Sequence, residues 1–266
     1  MNFVGAALGP PARWLRRSPR ARWVLAGAVA AGGIGALVFS LPKRPEPPLP
    51  DGKGLDTSQE KKAAFISYLV PYVREINTHL LADRQRLLSI RKDVASGGEP
   101  WFINARWLKK MATDYECEQP ARIDVAFLDE MLIRVDIVSP SLVVAQAAEE
   151  SGWGTSRFAR RGNNLFGKRA YNGKGLTPQE REPGEKFKVA AYPSVRDSIA
   201  DYMHTLNVSE NYLDLRKIRR ELRRKGQPVS GVALAAGLAG YSGRAADYVE
   251  TIIAIIQGNK LGRFDS

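Results

Sequence analysis

The chain has 266 residues, 44% of them apolar, a net charge of +12 and a pI near 9.9. That length buries one substantial core with room for accessory segments, and that apolar content excludes a wholly disordered chain. A single cysteine excludes an internal disulfide, and the basic balance asks for an anionic partner: nucleic acid, a membrane surface or an acidic polymer.

The charge is unevenly placed. Arg13, Arg16, Arg17, Arg20 and Arg22 stand together without an acid, and the uncharged run W-V-L-A-G-A-V-A-A-G-G-I-G-A-L-V-F-S-L follows, Trp23 to Leu41. As a helix that run would be roughly 28 Å long, close to the ~30 Å hydrocarbon core of a bilayer. Arginines on one flank against Lys43-Arg44 on the other predict a cytoplasmic segment over 1–22 and a transmembrane helix over 23–41, with the rest of the chain outside the cytoplasm. A cleaved signal peptide has the same order of features, but its apolar core usually spans about 7–15 residues. Setting aside the five arginines and the net +1 of Lys43, Arg44 and Glu46 leaves +6 of the +12 on the exported part. About half of the basicity is then topology, and no nucleic-acid partner is expected.

Residues 42–58 are Pro-rich and read as an extended linker. From Gln59 the spacing of Phe65, Leu69, Tyr72, Val73, Ile76 and Leu80 predicts a helix, with Pro71 expected to kink or divide it. S-G-G-E-P at Ser96–Pro100 breaks it, and shorter helices are expected around Trp101–Tyr115 and Asp124–Val135. This 59–138 stretch forms a helical N-terminal extension. Ser139-Pro140 supplies an N-cap and a first-turn proline for the next helix, which opens the last unit, 139–266. Short alternating runs on either side of Pro183-Gly184 read as a small β-hairpin. Helices resume near Val195–Leu206, Leu213–Lys225, Val232–Leu238 and Ala245–Gln257. The fold class is mainly α with one small β lobe.

Little of the chemistry-bearing inventory survives scrutiny. His79 and His204 lack companion ligands, so neither a metal nor a cofactor is expected. Cys117 lies between two glutamates, which disfavour its thiolate. G-N-N-L-F-G-K at Gly162–Lys168 has the spacing of a phosphate loop, but Arg169 follows where Ser or Thr is needed. Carboxylates remain. The helix from Leu142 to Ala148 is almost wholly apolar and ends in Glu149-Glu150 before Gly152 and Gly154. Glu150 shares a face with Val143 and Ala147, and Glu149 is turned away by about 100°. Desolvation and the negative end of the helix dipole both favour a protonated Glu150, the state a general acid needs at neutral pH. Salt bridges from the glutamates to Arg157, Arg160 or Arg161 are the plainer reading, and the local residues fit either.

The run A-Q-A-A-E-E-S-G-W-G-T-S-R-F-A, followed by G-N-N-L-F-G, resembles the glucosaminidases of glycoside hydrolase family 73, in particular the Bax-like group. The family pattern continues with Y-x-S, present as Tyr192-Pro193-Ser194, and with Y-A-T-D-P-x-Y. Here the last is Tyr241-S-G-R-A-A-D-Tyr248, without the Thr-Asp-Pro. The likeness covers about 139–257, and K-K-A-A-F-I-S-Y-L-V-P resembles the group's N-terminal extension. It implies a lysozyme-like fold, a helical domain with a small hairpin lobe across a sugar-binding cleft, acting on peptidoglycan at the reducing side of N-acetylglucosamine. On that resemblance Glu150 is the catalytic acid, with Tyr241 beside it. The second acid sits on the hairpin, where Glu180 fits and Glu182 and Glu185 are rivals. Trp153, Asn163, Asn164, Phe166, Tyr192 and Tyr248 are candidate substrate contacts; core packing of Trp153 and Phe166, and loop-tying bonds from the two asparagines, are the alternatives.

The basic run Leu215–Lys225 reads as a solvated helix face, or as a surface that steers anionic stem peptides. Together these expectations describe an inner-membrane-anchored peptidoglycan hydrolase facing the periplasm. A muramidase or lytic transglycosylase is the enzymatic alternative, and a wall-binding scaffold the non-enzymatic one.

Overall fold

The computed structural model describes residues 46–170, 175–177, 188–241 and 245–265, with side chains omitted at 239–241 and 245. The expected transmembrane helix over 23–41 and the segment before it lie outside those residues. Among the described residues no helix is long and apolar enough to cross a membrane.

Helix α1 (Ser58–Ala95) opens on a capping box: Thr57 Oγ1 accepts from the Glu60 N–H, and the Glu60 carboxylate accepts from the Thr57 N–H. Pro71 does not divide it. Leu69, Val70 and Val73 are buried on either side of the proline, and burial of ~1.5–3 kcal/mol each outweighs the roughly 3 kcal/mol of an interior proline. Two shorter helices, α2 (Phe102–Asp114) and α3 (Val125–Arg134), follow; α3 packs on α1. Asn77 of α1 grips the approach to the next helix, donating to Val138 O at 2.8 Å and accepting from its N–H at 3.1 Å.

Helix α4 (Pro140–Ser151) runs through the core, with every residue from Pro140 to Ala148 buried. Its N-terminus is clamped from the far end of the chain. Asp265 accepts hydrogen bonds from Ser139 Oγ, the Ser141 N–H and Oγ, and the Gly231 N–H. Its C-terminus turns through three left-handed residues, Gly152, Trp153 and Gly154. A Cβ on Gly154 would sit 2.9 Å from the Phe65 ring, so glycine is required there for close approach as well as for its φ of +74°.

After α5 (Arg157–Gly162) the strands β1 (Arg169–Ala170) and β2 (Lys188–Val189) pair antiparallel, Arg169 opposite Val189. Leu176 adds a bridge to Val189, and the hairpin's remaining turn residues lie outside the described set. The chain closes with α6 (Val195–Val208), α7 (Leu213–Arg224), α8 (Gly231–Ala235), a 3-10 turn at Ala236–Tyr241, and α9 (Ala245–Gly258), which packs on α4. A mainly helical domain with one small sheet fits the fold class expected from the sequence.

Two readings of charge and composition are corrected. The basic helix α7 is not a solvated face throughout: Arg216 and Arg219 are each 1% exposed. Arg219 donates to the carbonyls of Ile133, Arg134, Asp136 and Ile137 and to Asn207, and Arg216 to those of Leu206 and Ser209. Buried Asp136, ringed by Arg84, Arg219 and Arg223, balances this charge. The Pro-rich linker is likewise docked over Glu46–Pro50. Glu46 accepts from Tyr68 Oη at 2.8 Å and from the Val195 N–H at the start of α6, and the Arg160 guanidinium donates to the carbonyls of Leu49 and Pro50.

Candidate active site

The C-terminal turn of α4 presents Glu149 to solvent and leaves Glu150 partly buried. Among the described residues neither forms an ion pair. Arg157 and Arg160 spend their guanidinium groups on backbone carbonyls instead, Arg157 on Thr177 and Arg160 on Leu49 and Pro50. That removes the salt-bridge reading for these two arginines. Burial pushes the Glu150 carboxyl up to about 8; a hydrogen bond from Tyr248 opposes the rise and the neighbouring Glu149 adds to it. The group is therefore protonated at neutral pH, the condition for donating a proton.

Helix α9 brings Tyr248 to the acid. Its hydroxyl donates to Glu150 Oε1 at 3.2 Å and accepts from Gln146 Nε2 at 3.1 Å. Gln146 lies one turn before Glu150 on α4 and is fully buried. The N-N-L-F-G loop passes the other oxygen: a Cβ on Gly167 would lie 3.9 Å from Glu150 Oε2. Tyr202 of α6 completes the surroundings. It is buried and stacks on Phe166 at 3.9 Å between ring centroids, and burial followed by the nearby Tyr212, Tyr248 and Glu150 drives its phenol well above the ordinary range.

The remaining sequence candidates divide by place. Asn163 ends α5 in a left-handed conformation and donates to Tyr192 O at 2.9 Å. Asn164, 2% exposed, donates to Lys168 O and Ala190 O and accepts from the N–H groups of Phe166 and Lys168. Both tie the loop together through backbone bonds, and Phe166, equally buried, braces it from inside. Tyr192 donates to Asp201 Oδ2 at 2.6 Å, which also holds Lys168 Nζ at 2.6 Å, fixing the base of the hairpin to α6. Trp153 packs edge-on against Phe65 at 5.8 Å, with Lys62 over its ring. Tyr241 ends the 3-10 turn before α9, its side chain outside the described set; Glu180, Glu182 and Glu185 lie outside the described residues altogether. Three neighbours of the acid were missed: Gln146, Gly167 and Tyr202. Gln146 had a visible signal, as the one polar residue in the run Leu142–Ala148.

Outside this cluster, Cys117 is buried with its thiol pushed up to about 11, and His204 bonds Asp114 O at 2.8 Å. No group of metal-ligating side chains gathers among the described residues.

The chain is a glycoside hydrolase by its likeness to known proteins. Residues 128–261 match the Glucosaminidase family, described as mannosyl-glycoprotein endo-beta-N-acetylglucosaminidase. The chain is 33% identical to Protein bax of Escherichia coli (strain K12) over 212 residues, 80% of this chain and 74% of that protein. It is 32% identical to the Exo-glucosaminidase LytG of Bacillus subtilis (strain 168) over 135 residues, 48% of this chain and 46% of that protein. No solved structure matches. The chain belongs to the glucosaminidase family, in its Bax-like group.

Proposed function

We propose that the protein hydrolyses β-1,4 glycosidic bonds of peptidoglycan on the reducing side of N-acetylglucosamine, within the strand, with Glu150 as the general acid. The observation that carries this is the Glu150 carboxyl, uncharged at neutral pH and hydrogen-bonded by Tyr248 at the end of a buried helix. Membership of the glucosaminidase family supports the bond, and the LytG likeness supports activity on glucosaminides.

Glu150 gives its proton to the glycosidic oxygen as the C1–O bond breaks, and the leaving sugar departs as a neutral alcohol. The positive charge developing at C1 is met either by a second carboxylate that activates water, for which Glu180, Glu182 and Glu185 are the hairpin candidates, or by the substrate's own 2-acetamido oxygen. The Glu150 carboxylate left behind is stabilised by the Tyr248 hydroxyl until a proton returns. Residues 23–41 anchor the chain in the inner membrane with this domain in the periplasm, a reading supported by the uncharged run and its arginine flank.

The test is digestion of purified peptidoglycan with wild-type protein and Glu150→Gln, with the new reducing ends identified by mass spectrometry. N-acetylglucosamine ends that vanish in the mutant are the expected result. Muramic or anhydromuramic ends would replace the reading with a muramidase or lytic transglycosylase, and no release over a range of pH with a wild-type fold would favour a wall-binding role. The family's endo description and the relative's exo name are separated by product length: internal cuts give long fragments, and terminal cuts give single residues.

A further inference from the structure

The hydrogen-bond chain behind Glu150 has a direction. Gln146 gives an N–H to the Tyr248 oxygen, and among the described residues the acceptor of the phenol's own proton is Glu150 Oε1. The transferable proton is thereby left to Oε2, the oxygen beside the Gly167 backbone. Were the Gln146 carboxamide turned over, its oxygen would accept the phenol proton. Tyr248 would then accept from Oε1, and the acid's proton would sit on the wrong oxygen, pointing back into the protein.

The observed orientation is kept at a cost. Gln146 Oε1 is buried and has no hydrogen-bond partner among the described residues, and a half-satisfied buried amide destabilises the fold. An alanine or leucine would complete the apolar run more comfortably.

We propose that Gln146 is a positioning residue for the acid: its carboxamide aims the Tyr248 hydroxyl at Glu150 Oε1 and so assigns the transferable proton to Oε2. Gln146 touches neither the proton in flight nor Glu150, and it acts through Tyr248. This rests on the reading of Glu150 as the general acid. The titratable groups around Glu150 are Glu149 on its own helix, Tyr248 from α9, and Tyr202 from α6 with Tyr212 near it. No lysine or arginine forms an ion pair with Glu150 among the described residues, so Tyr248 is the group through which Gln146 acts.

The experiment is a ¹³C NMR titration of glutamate carboxyls in the full chain, with the Glu150 signal assigned as the one absent from Glu150→Gln. Tyr248→Phe removes a hydrogen bond to the ionised form, so Glu150 should titrate about one pH unit higher than in wild type. Gln146→Leu, which lets the phenol proton swing away, should shift it in the same direction, and the double variant should go no further than Tyr248→Phe alone. The alkaline limb of the hydrolysis rate should follow the same pattern. Thermal unfolding of each variant reports any purely structural loss, which would lower stability without moving the titration. Shifts that add in the double variant, or a Gln146→Leu titration equal to wild type, would overturn the inference while leaving the acid in place. A wild-type Glu150 that titrates near 4.5 would instead overturn the reading of Glu150 on which it rests.

Discussion

Placing a carboxyl where it stays protonated has a thermodynamic cost that can be measured without substrate. Glu150 ionises near 4.5 in an unfolded chain and near 8 in the folded one. Between those pH values the folded state holds a proton that the unfolded state has released, so stability falls as pH rises and levels off above the folded value. The span from 4.5 to about 8, at about 1.4 kcal/mol per pH unit, comes to on the order of 5 kcal/mol. Glu150→Gln keeps the shape and cannot ionise, so it should be close to wild type in stability at pH 4 and more stable by several kcal/mol at pH 9. For a domain of this size that corresponds to roughly 10 °C or more in Tm. Urea unfolding of both proteins at pH 4, 6, 7.5 and 9 gives the comparison. A constant difference across that range would mean Glu150 ionises normally in the fold, and the desolvated-acid argument would fall with it.

Three other perturbations follow from the packing. Asp265→Ala leaves Ser139, Ser141 and the Gly231 N–H without their shared acceptor and should cost about 2–4 kcal/mol in urea unfolding, as several donors lose one charged acceptor. Arg219→Ala empties a fully buried site and strands four carbonyls, for a loss of about 3–5 kcal/mol; a neighbouring exposed position such as Arg220→Ala should change stability by under about 0.5 kcal/mol. Gly154→Ala must force a Cβ against Phe65 at a left-handed φ and should lower stability by about 2 kcal/mol or more, measured as Tm.

How much of this was legible depended on whether the cause was local. The start of α4 could be read because its cap is written beside it, Ser139 with Pro140, whereas α1 was placed by its apolar spacing from Gln59 and begins one residue earlier, at Ser58, on the Thr57–Glu60 capping box. The desolvation of Glu150 followed from the apolar run that precedes it. Of the kink or division expected at Pro71, the division does not occur, because a proline's penalty is local whereas the burial that overrides it comes from other helices. Arg216 and Arg219 misled for the opposite reason: a charge pattern carries no depth, and the carbonyls that take them in are up to 86 residues away in sequence. Tyr241 and Tyr248 both stood in the degraded motif; Tyr248 Oη meets Glu150, and the side chain of Tyr241 lies outside the described set. The Asp265 clamp reaches 126 residues back to Ser139, and no local pattern announces it.

The docked linker changes what an anchor means for this domain. A Pro-rich stretch of seventeen residues, 42–58, suggests a long leash, yet Glu46, Leu49 and Pro50 are already bound to the folded body. Only residues 42–45 separate that grip from the end of the proposed anchor, at most about 14 Å of extended chain. If residues 23–41 are the anchor proposed above, the strap would moor the domain at the bilayer, and the glycan would have to come to it. Releasing the strap, by breaking the Tyr68, Val195 and Arg160 bonds, would free residues 42–57, lengthen the leash roughly fourfold and trade a fixed working height for reach.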